Sequence, residues 1–140
     1  MKNIKTVCVS GGFDPIHIGH VRYIQEAAKL GDYLIVILNS DEFLVKKKGK
    51  AFMPFEERKE ILFAIDGVDE VFMAIDKDMT VCETLELLKP DIFAKGGDRT
   101  LENIPEKETC ERLGIDMVFG VGGDKIQSSS WIIEKYEKGK

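Results

Sequence analysis

The chain has little with which to staple itself together or to enter a membrane. Its cysteines, Cys8, Cys82 and Cys110, are odd in number, far apart and in no metal or redox spacing, so reduced thiols in a cytoplasmic protein are expected. The apolar run Leu34 to Leu38, like every other in the sequence, is far short of the ~20 residues that span a bilayer. Met1-Lys2-Asn3-Ile4-Lys5 is not followed by the apolar stretch of a secretory signal, so no targeting segment is expected. Positive charge is not in excess either. Twenty Lys and Arg against 25 Asp and Glu leave a net charge of −5, which argues against nucleic acid as the main partner. Repeats, linkers and low-complexity tracts are absent from the sequence. What remains, 140 residues with 44% hydrophobic and 32% charged side chains, suits one globular domain over residues 1–140 with a proper core.

Histidine is the rarest chemistry-bearing residue, and its placement is informative: His17 and His20 are the only two. Before them, Thr6-Val7-Cys8-Val9-Ser10 is short, β-branched and apolar, which predicts a buried strand. After them, Val21, Ile24, Ala27, Ala28 and Leu30 recur at helical spacing. Between lies Gly11-Gly12-Phe13-Asp14-Pro15-Ile16. This is a strand, a glycine turn and a helix start. Glycines let backbone N–H groups approach a ligand, and a helix start adds unpaired donors and a positive dipole end. Spacing of three residues puts both imidazoles on one face of the first helical turn, facing one anion. The plainer alternative is that the glycines make a tight turn and the histidines cap the helix. A zinc site is disfavoured, because two histidines without nearby cysteine make a poor ligand set.

Gly11-Gly12-Phe13-Asp14-Pro15-Ile16-His17-Ile18-Gly19-His20 resembles the signature of the nucleotidyltransferase superfamily with the His-x-Gly-His motif, in its cytidylyltransferase-like branch. The resemblance implies transfer of a nucleoside monophosphate from a nucleoside triphosphate to a phosphorylated acceptor, with release of pyrophosphate. It assigns His17 and His20 to the triphosphate, Gly11, Gly12 and Phe13 to a backbone phosphate cradle, and Asp14 to the acid of the signature. A homodimer is implied by the habit of relatives. Mg²⁺ is implied by the chemistry, held mainly by phosphates and water.

The rest of the chain alternates. Strands are predicted at Tyr33–Leu38, Glu70–Ala74, Asp91–Ala94 and Met117–Val121, with helices over 55–64, 81–89, 105–113 and from Ser128 or Ser129 to Tyr136. That order predicts an α/β, Rossmann-like domain, a five-stranded parallel sheet with helices on both faces. Ligands of such sheets bind beyond the carboxyl ends of the strands. Gly11–His20, the basic run Lys46–Lys50, Lys95–Arg99 and Lys125–Ser130 each follow a predicted strand, so one shared anion site is expected.

Three further stretches refine the resemblance. Ser40-Asp41-Glu42-Phe43 through Lys50-Ala51-Phe52 to Glu56-Glu57-Arg58-Lys59 is similar to glycerol-3-phosphate cytidylyltransferases, which implies a phosphate contact from Lys47 and a place near the site for Arg58. Ser128-Ser129-Ser130-Trp131-Ile132-Ile133 matches the family's late motif for the outer phosphates, with Lys125 supplying charge in place of the usual arginine. Lys95-Gly96-Gly97-Asp98, after Leu88-Lys89-Pro90-Asp91, is similar to heptose-1-phosphate adenylyltransferase domains. It favours ATP, and a sugar phosphate acceptor, over CTP with glycerol 3-phosphate or another phospho-alcohol. A non-catalytic nucleotide-binding module is the alternative of another class.

Overall fold

A computed structural model describes residues 4–96 and 105–122. The order is β1 (Thr6–Gly11), α1 (Ile18–Ala28), β2 (Tyr33–Leu38), α2 (Asp41–Lys48), α3 (Phe55–Phe63), β3 (Glu70–Met73), α4 (Cys82–Leu88), β4 (Ile92–Gly96), α5 (Glu106–Leu113) and β5 (Asp116–Val121). The strands form one sheet in the order β3-β2-β1-β4-β5, and every pairing is parallel. This is the expected Rossmann-like α/β sheet, with the order reversing between β1 and β4.

Alternation along the strands sends side chains to two cores. Val7, Val9, Leu34, Val36, Leu38 and Ala94 pack with Ile24 and Ala27 of α1 and Leu62 of α3. Cys8, Ile35, Ile37 and Phe93 pack on the opposite face with Leu85 of α4 and Cys110 of α5. Both faces are covered, which is why β2 reads as a continuous apolar run. Cys8 and Cys110 are buried thiols whose ionisation burial pushes up, to about 12 and about 11. At the amino end of the sheet, Asp32, Asp91 and Asp69 accept from the N–H groups of Lys5, Thr6 and Leu34. Structural carboxylates finish that edge, and the carboxyl edge is left to the glycine turn and the cations.

One helix was not foreseen. The basic run Lys46–Lys50 does not sit in a loop directly after β2: Lys46, Lys47 and Lys48 form the last turn of α2, and Gly49 caps it at φ +89°. Ser40 accepts from Phe43 N–H at the other end, and Asp41 and Glu42 occupy the first turn. Charges of both signs therefore complement the helix dipole. The helix escapes a periodicity search because it is only eight residues long and buries adjacent residues, Phe43 and Leu44. The expected helix after Ser128 lies outside the described residues.

Candidate active site

The glycine turn is tight for reasons that its neighbours supply. A Cβ on Gly12 would come 2.7 Å from Leu44 Cδ2 of α2, and one on Gly11 would come 3.2 Å from the Phe13 ring. Phe13 itself adopts φ +50°, an uncommon conformation for a residue with a side chain, and is held there by burial. Its ring meets the edge of His20, with centroids 4.9 Å apart.

The two histidines build the helix start that they occupy. His17 Nδ1 accepts from Gly19 N–H at 3.1 Å, and His20 Nδ1 accepts from His17 N–H at 3.2 Å. This is a capping box made from imidazoles instead of the usual hydroxyl and carboxylate. The rings stack at 3.7 Å between centroids, 24° from parallel. Capping and anion binding, which compete as explanations of the sequence, are compatible uses of one ring. A nitrogen that accepts carries no proton, so each neutral ring has its N–H at Nε2. Burial, then the proximity of His17 and Lys48, pushes the His20 imidazole down to about 3. His20 is thus a neutral donor near pH 7.

Asp14, the acid of the signature by resemblance, is tied to backbone. Its side chain is fully buried, and its oxygens accept from Phe52 N–H and Met53 N–H, both at 2.6 Å. A carboxylate so enclosed pins the chain between α2 and α3 to the glycine turn. Lys48 joins the same knot, donating to the Asp14 carbonyl at 2.6 Å and lying 3.4 Å from Oδ2.

The lysine that the structure joins to Asp14 and His20 is Lys48, one residue on from Lys47, to which the resemblance gives a phosphate contact. The Lys47 ammonium lies over the Phe43 ring at 5.9 Å. Helical spacing explains the exchange: Lys48 follows Leu44, the residue against Gly12, by one turn, whereas Lys47 follows Phe43. That rule could have found Lys48 once α2 was recognised.

Arg58 lies near the site, as expected, but wholly beneath it. Its guanidinium is buried and donates to Met53 O, Gly12 O, Asn39 O and Asp41 Oδ1 at 2.6–2.9 Å. It ties the glycine turn to the ends of β2 and the start of α2, and positions the cradle without facing a ligand. On the other side of β1, Lys95 lies over Phe93 at 5.0 Å, and Gly96 packs on Tyr23. A cavity of about 310 Å³ opens beside the carboxyl end of β3, lined by Ser40, Phe43, Lys46, Ala74, Ile75 and Lys77 among others. Gly97, Asp98, Lys125, Ser128, Ser129 and Ser130 lie outside the described residues. Gly11, Gly12, Phe13, His17, His20 and Lys48 are brought together at one sheet end.

No group of His, Cys, Asp or Glu among the described residues could hold a metal ion. The donor chemistry explains why: both imidazole Nδ1 atoms accept from backbone N–H groups, and Asp14 is fully enclosed. These residues do not fit a protein-held Mg²⁺.

A parallel sheet with a glycine turn and an imidazole-bearing helix start at its switch point, with Lys48 alongside, has the arrangement of a nucleotide-handling α/β protein. Residues 8–138 match the Cytidylyltransferase-like family, and the chain belongs to that family of nucleotidyltransferases. It is 39% identical to the bifunctional protein HldE of Syntrophotalea carbinolica over 96% of its own length and 28% of that protein. Identity to HldE of Citrifermentans bemidjiense is 41%, over 94% of the chain and 27% of that protein. The chain thus spans little more than a quarter of these relatives. The FAD synthase of Ferroglobus placidus is 40% identical, over 80% of the chain and 72% of that protein. Among solved structures, the lipopolysaccharide core biosynthesis protein from Thermoplasma volcanium superposes with a TM-score of 0.71 at 25% identity, covering 84% of this chain and 96% of that one. Among the described residues, no helix is long and apolar enough to cross a membrane.

Proposed function

We propose that the protein is an adenylyltransferase that joins AMP from ATP to a sugar phosphate such as heptose 1-phosphate and releases pyrophosphate. The observation that carries this is the stacked His17–His20 pair beside Lys48: both Nδ1 atoms are committed to the cap, so both neutral rings carry their proton at Nε2. Near neutral pH the acceptor phosphate is already mostly dianionic, with a second pKa of about 6, and needs no general base. Its oxygen attacks the α-phosphorus in line. The new P–O bond forms as the bond to the β-phosphate oxygen breaks, and charge grows on the departing pyrophosphate. Fixed N–H donors and an ammonium lower that barrier by electrostatics and positioning. Gly11 and Gly12 admit the triphosphate to the backbone, with Lys95, Gly96, Gly97 and Asp98 on the base and ribose and Lys125, Ser128, Ser129 and Ser130 on the outer phosphates. The acceptor takes the β2–β3 side, where the cavity beside Lys46 and Lys77 supports it. Mg²⁺ travels with the nucleotide, held by phosphates and water. A cytoplasmic homodimer completes the reading.

ATP over CTP is favoured by Lys95-Gly96-Gly97-Asp98 and by the two kinds of relative, since FAD is itself an adenylyl compound. A pyrophosphate-release assay with each of four nucleoside triphosphates against heptose 1-phosphate, glycerol 3-phosphate and flavin mononucleotide tests it. Release with ATP and heptose 1-phosphate is expected. Release only with CTP and glycerol 3-phosphate would move the protein to the cytidylyltransferase reading. Tight nucleotide binding with no release under any pair would make it a non-catalytic module.

A further inference from the structure

We infer that Tyr23 is a positioning residue that sets the nucleotide-binding ends of β4 and β5 against the histidines; this rests on the adenylyltransferase reading. Tyr23 follows His20 by one turn on α1, so the two side chains share a helix face and a rigid carrier. From there its hydroxyl donates to the carbonyl of Ala94 in β4. Ala94 stands where the pairing of β4 with β5 slips: Ala94 lies opposite Val118, but Gly96 lies opposite Val121. β5 thus holds one extra residue, and Gly120 takes φ +69° within it. Such a bulge bends the strand and re-aims the residues beyond it.

Both strands narrow to glycine where they pass this tyrosine. A Cβ on Gly96 would approach Tyr23 Cδ1 and Val121 O, each to 3.1 Å. On Gly122 it would come 2.8 Å from Tyr23 Cα and 3.0 Å from Tyr23 N, at a φ of +92°. Tyr23 therefore bonds to β4 where the pairing slips, sets its ring against Gly96 and sets its backbone against Gly122, at the ends of the two strands that lead to the stretches assigned to the nucleotide. Toward β2, on the acceptor side, α1 is joined by the apolar packing of Ile24 and Ala27. The hydroxyl accordingly matters for nucleotide affinity, and not for the acceptor.

The test compares the unmodified full chain with Tyr23→Phe, which keeps the ring and removes the hydroxyl. Calorimetric binding of ATP and of CTP, each with Mg²⁺, is measured well below each protein's thermal midpoint, together with KM for both substrates in the pyrophosphate assay. Tyr23→Phe is expected to weaken binding of the preferred nucleotide about 5- to 10-fold, the scale of one positioned hydrogen bond, and to leave acceptor KM within about twofold. Gly96→Ala crowds the ring itself, at 3.1 Å from Tyr23 Cδ1, with the hydroxyl in place, and is expected to shift affinity in the same direction. A merely structural hydroxyl would lower the midpoint and leave the affinity alone. Nucleotide affinity within twofold of wild type in both variants, or an equal rise in KM for both substrates, overturns the inference alone. Failure of the unmodified protein to bind either nucleotide overturns the functional reading and this inference with it.

Discussion

His20→Asn separates what the imidazole does for folding from what it does for ligands. Asparagine keeps an acceptor, Oδ1, where Nδ1 receives His17 N–H, but it cannot titrate. In the fold the imidazole is pushed down to about 3 from 6.5, by burial first and then by His17 and Lys48. A lowered folded pKa means that the unfolded chain binds the proton first as pH falls. Stability from the neutral ring is therefore complete above pH 6.5 and is lost progressively from there down to about pH 3. The slope approaches about 1.4 kcal/mol per pH unit in that window. From pH 7 to pH 5 the ring contributes a loss of about 1–2 kcal/mol, after allowance for the solvent contact that it keeps. Urea unfolding of both proteins at the two pH values measures it, because carboxylates that titrate nearby do so in both and cancel in the difference. The wild type is expected to lose that much more stability than His20→Asn. Parallel losses would refute the assignment of a neutral, half-buried, accepting imidazole at this position.

Removing His17 by alanine deletes a cap and an Nε2–H donor together: stability is expected to fall by about 1 kcal/mol, and turnover at least a hundredfold, the scale of one lost oxyanion donor. Near-normal turnover in the pyrophosphate assay would remove His17 from the chemistry. Lys48→Ala is expected to lower kcat/KM about tenfold or more and Lys47→Ala by less than about threefold, since Lys48 is paired with Asp14 and acts on His20; the reverse order would assign the greater part to Lys47. Arg58→Met fills the space but strands Gly12 O, Asn39 O, Met53 O and Asp41 without their donor. A loss of about 3–5 kcal/mol is expected by denaturant unfolding, and a loss under about 1 kcal/mol would show that the buried guanidinium is dispensable.

Much of the architecture was legible because it is encoded locally. Strand Tyr33–Leu38 and the helices over 55–64 and 81–89 announce themselves by apolar runs, periodicity and end signals, and each lies within a residue or two of its expected bounds. Helix α2 was missed because two adjacent buried residues make no period, and a lysine run reads as solvent-facing loop until a helix phases it. Asp14 and Arg58 were placed at or near the site by resemblance. Their partners include backbone groups 38 to 46 residues away in sequence, Phe52 and Met53 for Asp14 and Gly12 for Arg58, and no local pattern exposes such pairings.

The sequence by itself determined the parallel sheet, the glycine turn and the pairing of two histidines on one helical turn, because periodicity and spacing act over a few residues. Tertiary structure alone decided which lysine stands beside those histidines, which charges are braces instead of ligand contacts, and how Tyr23 joins α1 to β4 and β5. Those outcomes depend on which faces meet when distant segments pack, and burial there turns a charged side chain from a contact for substrate into a support for backbone.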